Sequence, residues 1–294
     1  QTWEQPAFPA LEGELSTDVL IIGGGMAGVL CTYFLHRAGV PYALAEAKTL
    51  CSGITRNTTA KITSQHGLIY DKLIRKFGVD RARQYLSAQE AALQKYRELC
   101  QTVDCGFEEK DAYVYSMDDR QKIERELNAL EKLGFPGEFA GQLPLPFPVA
   151  GAVKFPRQAQ FHPLKFVSAI AEGLHIYEHT AVRELAGTTA STDHGKIRAK
   201  TIIVTTHFPF LNKYGSYFLK LYQHRSYVLA LESAPDVGGM YVDESRTGLS
   251  FRNYGNLLLV GGGGHRTGKQ GGGWRGLRAF AGRHYPHAGE KFHW

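Results

Sequence analysis

The sequence has few cysteines and lacks a segment typical of membrane insertion or secretion. Its four cysteines among 294 residues form no Cys-x-x-Cys pair, and 43% of the residues are hydrophobic. A chain of this size can bury a large core without disulfides, so we expect reduced thiols and a cytoplasmic protein. Its length fits one large domain or two interleaved ones.

One apolar run approaches the length of a membrane span. Residues 19–35 carry no charge and reach the ~17-residue lower limit for a span. Four glycines interrupt this run, and acids at positions 12, 14 and 18 precede it without a basic n-region. We therefore expect a buried strand and helix there, and neither a membrane span nor a signal peptide.

Basic residues are concentrated near the end of the chain. The formal net charge is +6, and residues 265–294 contain six lysines and arginines against the single acid Glu290. No array of interleaved aromatic and basic residues and no known reader motif accompanies them. A solvated basic segment is expected, and nucleic-acid binding is not.

The histidines do not form a convincing metal site. His175 and His179 would share one face of a strand but would lie about 13 Å apart, with no third ligand in view. His284, His287 and His293 form only a loose cluster. Structural histidines, and no metal, are the expectation.

Residues 18–46 combine a strand, a glycine-rich turn, a helix and a second strand that ends in an acid. They read DVLIIGGGMAGVLCTYFLHRAGVPYALAE, with Gly23, Gly25 and Gly28 in the spacing Gly-x-Gly-x-x-Gly. In such a unit the first glycine permits a sharp turn, the second lets a pyrophosphate approach the backbone, and the third lets the helix lie close to the sheet. The helix then directs its positive end at the phosphates.

Glu46, the acid at the end of this stretch, strengthens the prediction that the glycine turn binds a nucleotide. Glu46 follows Gly28 by 18 residues, close to the ~20-residue interval at which a carboxylate binds the ribose hydroxyls. The stretch therefore predicts dinucleotide binding. The alternative, a glycine-rich turn without a ligand, leaves Glu46 unexplained.

A hydroxyl-rich loop follows the acid directly. Residues 47–67 read AKTLCSGITRNTTAKITSQHG and have no useful periodicity. Hydroxyls of Thr55, Thr58 and Thr59 are suited to donate to phosphate oxygens, and Lys61 adds a positive charge beside them. An ordinary threonine-rich turn is the alternative, but the position of the loop favours phosphate contacts.

The middle of the chain alternates between helical and extended patterns. The helical pattern of residues 68–101 breaks at Gly78, and Asp80 is the expected N-cap of the second helix. A further amphipathic helix pattern ends at Gly134, and another helix is expected to begin at Pro163. The remaining expected elements are strands at 111–117, 174–177 and 181–185 and a proline-rich loop at 141–148.

A continuous apolar run, KTIIVTTHFPF, occupies residues 200–210. It is typical of a parallel strand buried on both faces. Ligands in doubly wound sheets bind beyond the carboxyl ends of the strands. Thr205, Thr206 and His207 are therefore expected to face the same crevice as Gly23 and Gly25.

The last third of the chain is rich in strand patterns. These lie at residues 226–232, 240–243, 249–253 and 256–260. The run Gly261 to Gly264 is not a second nucleotide loop, because Arg266 occupies the sixth position and no apolar helix is expected after it. Close backbone packing or a mobile loop explains the glycines better.

These residues resemble FAD-dependent oxidoreductases of the D-amino-acid oxidase type, which include glycine and sarcosine oxidases. The chain is most similar to the branch that often carries a C-terminal Rieske domain. The resemblance covers essentially the whole chain. It depends on the motifs GGGMAG, SGITRNTTAK, FHPLKF, IYEHTAV, IIVTTHFPF and SFRNYGNLLLVGGGGHRTG.

The resemblance implies FAD as the cofactor and assigns roles to individual residues. Arg252 matches the family's arginine that grips a substrate carboxylate, although a surface arginine is a close alternative, and Lys61 would place positive charge near the reduced flavin. The implied cofactor-binding residues are Gly23, Gly25, Met26, Ala27, Gly28, Glu46, Ala47, Lys48, Thr55, Thr58, Thr59, Ala60, Lys61, Val182, Thr205 and Thr206.

The sequence departs from the family pattern in three places. Thr32 replaces a small alanine on the first helix, and Tyr42 replaces a β-branched residue in the second strand. The resemblance also implies a final glycine-rich segment beyond Trp294, so a C-terminally truncated chain is expected. The 294 residues contain no Cys-x-His and Cys-x-x-His pair to hold a Rieske cluster.

The expected fold is α/β, or α+β overall, with a Rossmann-like FAD-binding domain and an inserted, mostly antiparallel β substrate domain. Residues 1–75 and 150–215 are expected to form the FAD-binding domain, with 256–294 as a further candidate segment. Residues 76–149 and 216–255 would form a helical cap and the β substrate domain.

The expected function is oxidation of a C–N bond in an amine or amino acid by hydride transfer to FAD. The electron acceptor is left open between O₂ and a redox protein. An NAD(P)-dependent dehydrogenase is one alternative, but it gives no reason for the threonine loop. The other is a truncated flavin-binding remnant with weak activity or none.

Overall fold

The computed structural model describes residues 3–211, 215–246 and 248–294. Its helices are α1 Met26–Arg37, α2 Ile54–Asn57, α3 Tyr70–Phe77, α4 Val79–Cys100, α5 Arg120–Leu133, α6 Pro163–Ala171, α7 Tyr217–Lys220 and α8 Gly273–His284. Its strands are β1 Gly13–Ile22, β2 Tyr42–Ala45, β3 Lys61–Ile62, β4 Glu108–Ser116, β5 Glu138–Ala140, β6 Gly151–Gln160, β7 Ile176–Tyr177, β8 Val182–Ala186, β9 Thr189–Thr192, β10 Gly195–Val204, β11 His224–Glu232, β12 Met240–Asp243, β13 Ser250–Tyr254, β14 Leu257–Arg266 and β15 Gly289–His293.

The chain divides into two compact units, each built from separate segments. The first unit comprises Gln1–Thr58, Val103–Cys105 and His162–Tyr222, and the second comprises Thr59–Thr102, Gly106–Phe161 and Gln223–Trp294. These boundaries differ from the predicted ones, because residues 59–75, 150–161 and 256–294 pack within the second unit. All three segments contribute strands or helices to the packing of that unit.

A six-stranded sheet forms the centre of the first unit, in the order β7-β2-β1-β10-β9-β8. The strands β1, β2, β7 and β10 are parallel, whereas β8 and β9 are antiparallel additions. The middle of the sheet is apolar, and Leu20, Ile21 and Leu44 are fully buried. This arrangement confirms the predicted Rossmann-like unit.

The prediction that residues 200–204 are buried on both faces is wrong. Thr201 is exposed, and 41% of Val204 is exposed. The reason is strand pairing: β10 pairs with β9 only through Lys196–Arg198, so its second half pairs, among the described residues, with β1 alone.

Hydrogen bonds accommodate the two side chains that depart from the family pattern, Thr32 and Tyr42. Thr32 is fully buried on α1, and its hydroxyl donates to the carbonyl of Gly28 over 2.8 Å. The Tyr42 hydroxyl accepts from the backbone N–H of His175 and lies 3.0 Å from Nδ1 of His36. Each polar atom thus has a partner inside the packed structure.

A nine-stranded sheet forms the centre of the second unit. Eight strands follow the order β15-β11-β14-β13-β12-β4-β6-β3, and β5 pairs with β6. The β4–β12 pair is parallel and the other pairs are antiparallel. The prediction of a mostly antiparallel β domain is therefore confirmed.

Both faces of this second sheet carry helices. Val114 of β4 packs with residues of α3, α4 and α5, whereas the next residue, Tyr115, packs in a separate cluster with Leu277 of α8. Successive side chains of a strand point to opposite faces, which explains the division.

The glycine run of residues 261–264 belongs to β14, where a side chain would collide with neighbouring atoms. A Cβ atom on Gly262 would lie 2.5 Å from Leu249, and one on Gly263 would lie 2.6 Å from the carbonyl of Gly273. Close backbone packing is thus confirmed. A helix does follow, since α8 begins at Gly273, but it is rich in basic residues and Leu277 is its only buried residue, so it is not the apolar helix of a nucleotide-binding unit.

Helix starts depend on contacts that the sequence patterns do not show. Gly78, with a φ of 81°, precedes α4, and the predicted N-cap Asp80 lies inside the first turn. The start of α3 is capped from another helix: the buried carboxylate of Glu126 accepts hydrogen bonds of 2.8 to 2.9 Å from the backbone N–H groups of residues 69, 70 and 71.

The Glu126 cap predicts a large loss of stability on truncation. Replacement of Glu126 with alanine leaves one buried and two partly buried N–H groups without their acceptor, so we expect the free energy of unfolding to fall by about 2–4 kcal/mol. Chemical denaturation measures this change. Replacement of exposed Glu131 on the same helix should cost less than ~0.5 kcal/mol, and equal losses would contradict the assigned role.

Candidate functional site

The turn between β1 and α1 has room for no side chain at two of its glycines. Gly23 adopts a φ of 112°, and a Cβ atom on it would lie 3.1 Å from the Thr206 nitrogen. A Cβ atom on Gly28 would lie 1.9 Å from the Gly23 carbonyl oxygen. The helix therefore begins directly against the turn, as the glycine spacing predicts.

Gly25 differs from these two glycines because the space beside it is open. A Cβ atom at this position would contact only the Thr55 hydroxyl, at an ordinary 3.5 Å. Gly25 is the N-cap of α1 and supplies no capping side chain, while the backbone N–H of Met26 donates to Thr55 Oγ1 over 3.1 Å. A ligand can thus approach the positive end of α1.

Glu46 joins the end of β2 to the glycine turn. One carboxylate oxygen accepts from the backbone N–H of Gly24 over 2.6 Å, and the other accepts from that of Lys48 over 2.8 Å. A carboxylate has about four lone-pair positions. Two therefore stay available for ribose hydroxyls, the partner that the sequence predicts.

The returning strand β10 closes the other side of the turn. The Thr205 hydroxyl lies 2.9 Å from the carbonyl oxygens of both Ile22 and Gly23, and its backbone N–H donates to Ile22. The Thr206 hydroxyl is buried and has no hydrogen-bond partner within the described segments. A buried hydroxyl without a partner is costly, so it marks a place for a ligand atom.

These residues enclose a cavity of about 610 Å³ in the first unit. Eleven of the residues predicted for cofactor binding line it: Gly23, Gly25, Met26, Ala27, Glu46, Ala47, Lys48, Thr55, Val182, Thr205 and Thr206. His207 lines it as well. Further lining residues, to which the sequence assigned no cofactor role, include Ile22, Gly24, Cys51, Ile54, Arg183 and Phe208.

Five residues predicted for cofactor binding lie outside this lining. Gly28 has a packing role under the turn. The others are Thr58 and the segment Thr59, Ala60 and Lys61, of which the last three belong to the second unit. Their predicted contacts with a cofactor stay predictions.

Arg252 and Lys61 lie in the sheet of the second unit. Arg252, on β13, is 1% exposed, and its Nε and Nη1 atoms have no hydrogen-bond partner in the described parts of the chain. Burial lowers the pKa of Arg252 to about 10, against the opposing effect of Glu108. The guanidinium stays charged at neutral pH, so it is a buried cation with two unused donors.

Lys61 adds a second cation to this part of the sheet. Its Nζ atom donates to the Thr59 hydroxyl over 3.2 Å. Burial, and to a lesser extent the charge of Arg252, lowers the pKa of Lys61 to about 7. Two like charges in a desolvated setting favour an anionic ligand, which would compensate both.

Comparison with known proteins agrees with this geometry. The glycine turn, the acid and the cavity define a dinucleotide-binding protein of the Rossmann type. The profile of the FAD-dependent oxidoreductase family (DAO) matches residues 18–292. The chain therefore belongs to the FAD-dependent oxidoreductase family, as the resemblance implies.

Two curated relatives extend this finding. The putative Rieske 2Fe-2S iron-sulfur protein YhfW of Bacillus subtilis is 36% identical over 282 residues, which cover 90% of this chain and 55% of that protein. γ-Glutamylputrescine oxidoreductase of Escherichia coli is 24% identical over 220 residues, which cover 67% of this chain and 50% of that protein. The chain thus spans about half the length of these relatives, and the first agrees with the predicted likeness to the Rieske branch.

Solved structures share the fold at low identity. L-Proline dehydrogenase from P. horikoshii superposes with a TM-score of 0.75 and 14% identity, covering 97% of this chain and 81% of that one. Glycine oxidase from Bacillus cereus superposes with a TM-score of 0.68 and 19% identity, covering 95% and 81%. These likenesses confirm the fold class.

The cavity of the first unit fits FAD, the cofactor of this family. Gly25 leaves open space at the positive end of α1, where a diphosphate is stabilised. The Thr206 hydroxyl supplies a buried polar group that no described residue bonds. The residues that would hold the diphosphate are Gly23, Gly25, Met26 and Ala27, and Glu46 would hold the ribose.

Gly25 provides a test that separates cofactor binding from folding. A methyl group at this position fits the protein but fills the space for the diphosphate, so Gly25→Ala should weaken FAD affinity about tenfold or more. Fluorescence titration of the FAD-free protein measures the affinity, and its melting temperature without FAD should stay within ~2 °C of the parent. Gly276→Ala, where a Cβ atom contacts nothing within 4 Å, is the control; equal FAD affinity in both variants would contradict the site.

Proposed function

We propose that the protein oxidises a C–N bond in an amine or amino acid that carries an anionic group. The observation that supports this most strongly is the buried guanidinium of Arg252, two of whose donor atoms have no partner among the residues that the structure describes. A planar guanidinium matches a carboxylate through two parallel hydrogen bonds. Such a bidentate contact would fix the substrate's orientation as well as its position.

The cofactor and the protein would contribute different parts of the reaction. FAD, when bound, accepts the hydrogen on the carbon next to nitrogen as a hydride, and water hydrolyses the resulting imine. Arg252 would orient the substrate through its anionic group, and the buried surroundings would strengthen that contact.

Lys61 would make anion binding in this part of the sheet depend on pH. Its pKa of about 7 means that protonated and neutral forms coexist near neutrality. A bound anion would favour the protonated form, so anion binding and proton uptake would be coupled. This charge would also favour reoxidation of the reduced cofactor, which stays a prediction.

Relatives support the substrate class through their names. Glycine oxidase and L-proline dehydrogenase are named for amino acids, and γ-glutamylputrescine oxidoreductase for an amine that carries an amino-acid group.

The substitution Arg252→Leu should raise KM for anionic substrates far more than KM for neutral ones. Because leucine removes the bidentate contact, we expect KM for an anionic amino acid to rise about 100-fold, while KM for a neutral amine changes about threefold or less. Steady-state kinetics over a panel of amines and amino acids measures both values. An equal rise for the two classes would show that Arg252 does not bind the anionic group.

The pKa of Lys61 predicts a pH dependence of substrate binding. As pH rises through about 7, Lys61 loses its charge, so KM for an anionic substrate should increase between pH 6 and pH 8.5. Arginine at this position keeps its charge over that range, so Lys61→Arg should have a nearly constant KM. A pH profile that is the same in both proteins would contradict the proposed role.

A further inference from the structure

One carboxylate of the second unit affects the pKa of Arg252 without forming a hydrogen bond to it. Glu108, on β4, acts to raise the Arg252 pKa and so counteracts the effect of burial. Yet the Nε and Nη1 atoms of Arg252 have no partner in the described residues. The proposed function therefore requires a contact that keeps Glu108 from occupying the guanidinium donors.

Gln160 is in position to hold this acid. It lies at the end of β6, paired with Glu108 of β4 on one side and with Lys61 of β3 on the other. Its side-chain amide donates to Glu108 Oε2 over 3.1 Å and to the backbone carbonyl of Asn253 over 2.9 Å. The amide thus joins Glu108 to the residue that follows Arg252 in the chain.

The burial of Gln160 makes this arrangement rigid. Gln160 is only 3% exposed, whereas the Glu108 side chain is 46% exposed and lies 3.6 Å from Lys110 Nζ. A mobile, half-exposed acid would otherwise be drawn towards a desolvated cation that lacks a partner. A buried amide that donates to Glu108 and is itself anchored to the Asn253 carbonyl is suited to resist that movement.

We propose that Gln160 is a specificity-determining positioning residue that holds the Glu108 carboxylate away from Arg252, so that the guanidinium stays open for the anionic group of the substrate. The inference depends on the proposed role of Arg252. Without the Gln160 amide, Glu108 turns towards the guanidinium and competes with the substrate as an internal anion. Lys110 then loses its carboxylate neighbour.

Acetate, a small carboxylate, provides a probe that does not require turnover. Thermal-shift titration of the protein with acetate measures the affinity, because a ligand that binds only the folded state raises the melting temperature. Gln160→Leu should weaken acetate binding about tenfold. The double variant Gln160→Leu/Glu108→Gln, which removes the competing charge, should regain an affinity within about twofold of the parent.

A neighbouring acid supplies the matched control. Glu109 is the next residue of β4 and is paired with Arg97 over 2.9 Å. The double variant Gln160→Leu/Glu109→Gln should therefore bind acetate as weakly as Gln160→Leu alone. Gln160→Asn, whose amide is too short to reach both acceptors, should show the same loss and the same rescue if the leucine variant folds poorly.

The outcomes separate this inference from the proposed function. If Arg252→Leu leaves acetate affinity unchanged, the role of Arg252 itself fails. If Arg252→Leu abolishes binding but Gln160→Leu and Gln160→Asn bind acetate normally, only the Gln160 inference fails. Two further results would overturn the Gln160 inference: Glu108→Gln fails to restore acetate affinity, or Glu109→Gln restores it equally well. Either result would indicate a purely structural role of Gln160, which would not depend on the charge of Glu108.

Discussion

The contact between Gly28 and the carbonyl of Gly23 controls the geometry of the cofactor cavity. A Cβ atom on Gly28 would lie 1.9 Å from that carbonyl oxygen, so the helix can begin against the turn only because the residue is glycine. Thr205 then bonds both carbonyls at the end of β1, and Glu46 bonds the N–H of Gly24. Three strands and one helix thus direct their polar ends at one cavity.

A second constraint comes from the cations of the other unit. Burying charge without a partner is unfavourable, and both Arg252 and Lys61 have lowered pKa values as a result. Proteins retain such unfavourable arrangements where a ligand compensates them. The Gln160 amide is part of the same arrangement, since its two hydrogen bonds hold an available carboxylate in place.

No helix within residues 3–211, 215–246 and 248–294 has the length and apolarity that a membrane span requires.

Local features of the sequence predicted much of the first unit. The glycine spacing and Glu46 are sufficient to predict the turn and the cavity, because their roles depend on backbone geometry within 29 residues. Thr205 and Thr206, which come from a distant strand, were also predicted at this cavity, but other features that depend on distant contacts were missed. The cap of α3 comes from Glu126 on another helix, and α8 packs its Leu277 on the second sheet. The pairing of Gln160 with Glu108 joins residues 52 positions apart, so no local pattern indicates it.

The role assigned to the first unit depends on the binding of FAD at the glycine turn. The most direct measurement is the flavin content of the purified protein from its visible absorption spectrum, combined with the change in melting temperature when FAD is added to the flavin-free protein. We expect close to one flavin per chain and a clear rise in melting temperature with FAD. A colourless protein whose melting temperature does not change with added FAD would contradict it.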